Sequence, residues 1–425
     1  MVFALVRMAN DMPELFGTGY PRAGLLRRVG RLEQVAGVRL VTLGDGQGRG
    51  VRVLEFRTGT GFAFEVLVDR CFDVGRCELS GQPLSWLSGA GVSGPWYYEP
   101  DGWGWFRAWG GGMVVTCGLD HTLGPAEDTA AHFNQPHIQP SVRYGLHGRA
   151  GGLPARLAGY GERWDGDECV LWAEGEVLQS AVFAEQLVLR RRIEARVGQS
   201  RFTIHDEVVN TGHTRASHMF LYHCNAGFPV LDEGAELVVP SRRTSTGYGV
   251  PVDGYQVMSG PVPGATEACF EHELAAEPGG TVPVGLLNRD RGLGVYQVFR
   301  IGQLPHHTVW RMLGEGTYAL GLEPSTNRDA GREDARERGE LQWLEPGQAR
   351  EYDLEIGALQ GTAALGEFEG RVSRLLPAAR TADSGAAAGG LAGGARAGGA
   401  RTGSDRAGSD RAGSDPAGSA RSDRM

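Results

Sequence analysis

Residues 202–209 read Phe202-Thr203-Ile204-His205-Asp206-Glu207-Val208-Val209. In an extended chain, successive side chains point to opposite faces. Phe202, Ile204, Asp206 and Val208 therefore share one face, and Thr203, His205, Glu207 and Val209 the other. The same period of two recurs in both directions along the chain. Phe62, Phe64, Val66 and Val68 alternate with Ala63, Glu65, Leu67 and Asp69, and Tyr352, Leu354 and Ile356 alternate with Asp353 and Glu355. Glycine, at 67 of 425 residues, is about twice as frequent as its usual share of roughly 7%. Many short alternating strands broken by glycine-rich turns predict an all-β, antiparallel architecture. Short helices are predicted near the two ends. One covers Arg22–Val29, with Leu25, Leu26 and Val29 on one face, and the other is marked by Leu365, Phe368, Val372 and Leu375 at helical spacing.

Beyond Pro377 the composition changes. The chain becomes Ala-Gly-Ser-Asp-Arg, with a single leucine (Leu391) and no aromatic residue. Such a segment cannot bury enough apolar surface to offset the entropy of ordering. Residues 378–425 are therefore read as a disordered tail and residues 1–377 as one domain, with a division near residue 155 as the alternative.

The formal net charge is −9, which argues against a nucleic-acid partner, since phosphate binding needs a basic face. The chain has no lysine; all 42 cationic residues are arginine. This excludes lysine Schiff-base chemistry and phosphate-loop nucleotide hydrolysis. The six cysteines, Cys71, Cys77, Cys117, Cys169, Cys224 and Cys269, lack the C-x-x-C spacing of zinc or redox motifs and read as free thiols in a reducing compartment. In the first sixteen residues, Arg7 and Asp11 interrupt the apolar run, and no apolar stretch approaches the roughly 18 residues of a membrane span. The expectation is a soluble, cytoplasmic protein.

Residues 44–50, Gly-Asp-Gly-Gln-Gly-Arg-Gly, follow an apparent strand. A dinucleotide fingerprint requires a helix next; here Val51 to Phe56 reads as another strand, so the segment is a hairpin loop. No G-x-S-x-G elbow or H-E-x-x-H helix occurs. His306 and His307 are adjacent, so on a strand they face apart, and His132 and His137 lie in a polar loop. No metal and no cofactor are predicted.

Three segments place polar groups inside apolar strands. In His218 to Val230, His223 and Asn225 share one face of a strand, and such a histidine is either bonded within the core or lines a cleft. In Thr317 to Asn327, Glu323 ends an apolar strand before Pro324; a carboxylate at a sheet rim can acquire the raised pKa of a base or remain a solvated strand end. The third segment, Trp105 to Gly148, includes Asp120, His121 and His147 and follows an aromatic cluster. That cluster comprises Trp96, Tyr97, Tyr98, Trp103, Trp105, Phe106 and Trp109. Rings beside His, Asp and Arg suit a sugar, whose C–H faces stack while its hydroxyls take hydrogen bonds; they also serve as ordinary core anchors.

Leu146-His147-Gly148, the strand Asp206 to Gly212, His223-Cys224-Asn225, Gly321-Leu322-Glu323 and Leu344-Glu345-Pro346-Gly347 occur in that order. The series resembles the aldose 1-epimerase, or galactose mutarotase-like, superfamily over most of residues 15–375. The runs Cys117 to His121 and Gly321 to Asn327 are similar to a bacterial branch labelled as a domain of unknown function. The resemblance implies a β-supersandwich with a cleft for a small-molecule carbohydrate. It implies His223 as the acid that protonates the ring oxygen and Glu323 as the base at the anomeric hydroxyl, the two several ångströms apart. It further implies His147 and Arg70 as substrate-binding residues; His121 and Asn225 are also expected to bind the substrate. The family's usual His-Phe-Gly and Asn-Arg-Ile segment and the Thr-Tyr-Phe-Asn form of the His223 strand are missing. A non-catalytic carbohydrate-binding protein and another sugar isomerase, epimerase or lyase are the alternative readings. A glycosidase needs two carboxylates, for which Asp120 or Asp232 would have to join Glu323.

Overall fold

In a computed structural model that describes residues 12–133, 137, 138 and 140–376, the alternating stretch forms the strand Arg201–Asn210, with Phe202, Ile204, Asp206 and Val208 all buried. Its neighbours are Gln186–Arg196 and Ala349–Gln360. Together they form the middle of an eight-stranded sheet that runs from Ala155–Asp165 at one edge to Glu236–Val238 at the other. A five-stranded meander begins with Gly37–Thr42 and Arg52–Arg57, joined by the loop at residues 44–50 as a hairpin, and continues through Phe62–Leu67. A third sheet has six strands in the order Ser241–Ser245, Ala268–Leu274, His306–Gly314, Thr317–Ser325, Leu221–Ala226 and Val115–Cys117. Every strand pair within these three sheets is antiparallel.

Aromatic contacts join the sheets. Phe64 packs on Phe202 at 4.5 Å between the meander and the eight-stranded sheet, and Phe220, just before the strand Leu221–Ala226, stacks on Tyr352 at 4.6 Å. Where the three sheets meet lies Arg191, 1% exposed. Its guanidinium donates to Asp206 (2.8 and 2.6 Å), Asp73 (2.7 Å) and Thr116 Oγ1 (2.8 Å). Tyr222 Oη also donates to Asp206, at 2.7 Å. A guanidinium this deep is tolerated because its donors meet carboxylates in fork geometry.

The first helix is shorter than expected, Arg22–Leu26; Leu25 and Val29 are buried, but Leu26, expected on the same face, is 44% exposed. The last helix, Thr362–Ser373, buries Leu365, Phe368 and Val372 as read. The expected tail, 378–425, lies outside the described residues. No described helix is long and apolar enough to cross a membrane. All six cysteines are free and buried.

Candidate active site

One face of the six-stranded sheet forms the floor of a cavity of about 240 Å³. Leu221 pairs with Ser325 and Cys224 with Leu322, so His223 stands opposite Glu323 on the neighbouring strand. His223 Nε2 lies 3.2 Å from Glu323 Oε1, a contact not aligned as a hydrogen bond, so Oε1 has no hydrogen-bond partner. Two residues back from Glu323, on the same face of that strand, lies Gly321. A Cβ there would come within 2.6 Å of Glu323 Oε1 and 3.2 Å of His223 Cε1. The bare glycine leaves room for the carboxyl to lie beside the imidazole.

The expected separation of several ångströms is therefore corrected: the two groups are cross-strand neighbours in contact. The expected place of Glu323 is corrected too. Pro324 does not end the strand, which runs to Ser325 with unbroken pairing to His306–Gly314; only the pairing toward Leu221–Ala226 is interrupted, at Pro324 and Glu323. Glu323 is thus an interior residue, 3% exposed. Beyond it, Thr326 locks the chain by accepting from Phe220 N at 2.8 Å and donating its own N–H to Phe220 O at 2.9 Å.

Burial sets the protonation of the pair. It pushes the Glu323 carboxyl well above the usual carboxylate range, and the nearby Asp329 and Glu267 add to the effect. Burial also lowers His223 to about 4, with the Asn225 side chain acting in the opposite direction. At neutral pH the imidazole is neutral, and burial favours the protonated form of the carboxyl.

The walls are aromatic. The His223 ring is 5.1 Å from Trp109, 5.4 Å from Trp310 and 5.7 Å from His147. Trp103, Trp105 and Phe106, from the predicted aromatic cluster, also line the cavity, whereas Trp96 and Tyr97 are exposed outside it. His147 adopts φ +59°, a left-handed conformation uncommon outside glycine. Gly148 follows at +72°, where a Cβ would meet two carbonyl oxygens at 2.5 Å. This turn presents the His147 ring to the cavity. Its Nδ1 accepts from Leu123 N–H at 3.3 Å, so the neutral ring carries its proton on Nε2 as a donor. Burial keeps it neutral, lowering its pKa well below the ordinary histidine value.

Three other expected binding residues do not line this cavity. Arg70 donates from Nε to Gly151 O and from Nη1 to Ser93 O and Oγ, and faces a separate recess of about 20 Å³. His121 bonds Gly124 O at 2.8 Å and stacks on Tyr144, which holds the Leu123–Gly124 loop in the wall. Asn225 is fully buried and donates to Gly112 O and His223 O, bracing the strand instead of facing a ligand. Asp120 is bonded to Gln179 and Asp232 to Arg291, so neither joins Glu323. Conversely, Trp310, Glu267, Cys269, Tyr248 and Asp329 line the cavity without having been singled out. Asp329, pushed up to about 6 mainly by burial, follows Glu323 by six residues. Among the described residues no group of three His, Cys, Asp or Glu side chains is arranged to hold a metal ion. A broader concavity of about 900 Å³ lies at Arg31, Arg39 and Arg57. Arg31 and Arg39 are paired there with Glu33 and Glu55, and Arg57 donates to Glu33 O, so it is salt-bridged surface.

Residues 48–358 match the family model described as a domain of unknown function, DUF4432. The chain belongs to the DUF4432 family. No curated protein matches its sequence. Among solved structures, this DUF4432 chain is similar to a "putative aldose 1-epimerase" from Klebsiella pneumoniae subsp. pneumoniae MGH 78578, with a TM-score of 0.72 and 22% identity over 83% of this chain and 94% of that one. A galactose mutarotase-like protein from Clostridium acetobutylicum matches with a TM-score of 0.53 and 10% identity, over 76% and 98% of the two chains. The Slr1438 protein from Synechocystis sp. PCC 6803 matches with a TM-score of 0.53 and 17% identity, over 72% and 94%. The DUF4432 fold is thus the galactose mutarotase-like β-supersandwich expected from the motifs.

Proposed function

We propose that the chain interconverts the anomers of an aldose, with Glu323 and His223 as its acid–base pair. The observation that carries this reading is the contact of the Glu323 carboxyl, its pKa raised by burial, with the His223 imidazole on the floor of an aromatic-walled cavity. Ring opening needs one proton delivered to the ring oxygen and one removed from the anomeric hydroxyl. Both oxygens are bonded to the same carbon, so a donor and an acceptor 3.2 Å apart serve them without flanking the sugar. In the resting state Glu323 is the donor and His223 the acceptor, the reverse of the assignment carried over from the resemblance. Closure on the other face of the carbonyl runs the two transfers backward. His147, with its Nε2–H, holds a sugar hydroxyl, and the indole faces take the C–H surface. Polarimetry on freshly dissolved α-anomers tests the proposal. Accelerated mutarotation that is lost in Glu323→Gln supports it; calorimetric binding without acceleration makes the protein a carbohydrate-binding module.

A further inference from the structure

Three carboxylates, Glu267, Glu323 and Asp329, line the cavity, and no arginine does; the chain has no lysine. Arginines of the adjoining recess, and Arg328 next to Asp329 in the chain, are engaged elsewhere. In the recess that shares Leu123, Gly124 and Asp329 with the cavity, Arg332 and Arg336 both bond Asp128. Arg328 pairs with Glu340 at 3.2 Å. Three polar atoms of lining residues are buried without a hydrogen-bond partner, Glu323 Oε1, His223 Nδ1 and Trp109 Nε1, on residues 3%, 4% and 7% exposed. Like charges converging in a dry site are unfavourable without a cation. Glu323 and Asp329 are each pushed up chiefly by burial and further by acidic neighbours, Glu323 by Asp329 and Glu267, and Asp329 by Glu271 and Glu267.

We propose that the cavity takes an aldose bearing a protonated amine, with Asp329 and Glu267 as the carboxylates that receive the ammonium. This rests on the reading of the cavity as a sugar site and names its substrate class. Hydroxyls alone would satisfy hydrogen bonds but leave the carboxylates repelling one another. An ammonium relieves that repulsion and is further attracted to the faces of Trp103, Trp105, Trp109 and Trp310 in the same lining. Glu267 keeps one oxygen on Trp310 Nε1 at 2.8 Å, which fixes its carboxylate in the wall. Burial is the largest cause of the raised Glu323 pKa and stays in place when the cation arrives.

The test uses the tryptophans of the lining as reporters. Fluorescence titrations, checked by calorimetry, compare glucosamine, N-acetylglucosamine, glucose and glucose 6-phosphate near pH 7, above the value of about 6 for Asp329 and below the range of about 7.7–8.0 for an α-amino group. A hydrogen bond to a charged group contributes about 1.5–3 kcal/mol, so glucosamine is expected to bind at least about 10-fold more tightly than glucose. Asp329→Asn and Glu267→Gln, each isosteric, should reduce that preference toward unity, with the larger loss falling on glucosamine. Equal affinity for glucosamine and glucose, or competition by glucose 6-phosphate at comparable concentration, overturns the inference. A preference for glucosamine without mutarotation overturns the proposed reaction and leaves the specificity standing. Binding of no sugar in the panel overturns both.

Discussion

Glu323 faces His223 across a single inter-strand gap, although a hundred residues of chain separate them. Their contact is a property of sheet register. It does not depend on how a loop closes, and directly opposed residues on antiparallel strands lie within side-chain reach of each other.

If the pair acts in the chemical step, Glu323→Gln and His223→Asn each lower turnover by about 10²–10⁴-fold with sugar affinity largely kept. The double variant should be little worse than the worse single one, because groups acting as a unit are non-additive. Polarimetric rates with calorimetric affinities check this. Full activity in either single variant removes that residue from the mechanism.

The pH profile tests the pair as a unit. His223 lies at about 4 and Glu323 well above the carboxylate range. With Glu323 as donor and His223 as acceptor, kcat/KM rises as pH climbs through about 4 and falls only when Glu323 ionises. The reverse assignment uses the same singly protonated pair and gives the same profile, because the apparent values belong to the pair. Activity that instead declines as pH rises through about 4 refutes a role for the pair in the chemical step.

Gly321→Ala tests the space beneath the pair. The added Cβ meets Glu323 Oε1 at 2.6 Å, so the carboxyl must leave His223. Turnover should drop by about 10²-fold or more, the scale of one misplaced acid–base group, with the circular dichroism spectrum unchanged. Wild-type rates in this variant would show that the contact is dispensable.

His147→Ala should raise KM more than it lowers kcat, since a donor that contacts ground and transition states alike provides uniform binding. Steady-state kinetics on the variant decides this; a pure kcat loss would move His147 into the chemical step.

Arg191→Met leaves Asp73 and Asp206 buried without their cation. Breaking a buried pair in this way costs about 3–5 kcal/mol, which urea denaturation would register as a lower midpoint. A midpoint equal to that of the wild type would mean that the carboxylates find other partners or take up protons at no cost.

The fold was legible because period-two alternation at Phe62–Val68, Phe202–Val209 and Tyr352–Ile356 survives any choice of strand order. His147, His223 and Glu323 were legible because each sits in a short motif. Trp310, Cys269 and Glu267 were not: they reach the cavity through the register of neighbouring strands, Trp310 opposite Gly321 and Cys269 opposite Trp310, and register is not written in either strand alone. Pro324 misled in the same way. Its missing N–H interrupts pairing on one side only, and which side is a tertiary matter. Arg70 and His121 share the neighbourhood of the cavity, but only the folded chain reveals that backbone carbonyls already occupy their donors.

The arrangement also separates two properties that are entangled in many sites. The reacting pair is fixed by hydrogen-bonded strands, while Trp103–Trp109, Leu123–Gly124 and Tyr248 come from connecting segments. Such segments tolerate sequence change better than the elements they join. A combinatorial library confined to those segments can therefore be screened for new ligand preferences while the Glu323–His223 contact is inherited unaltered by every member.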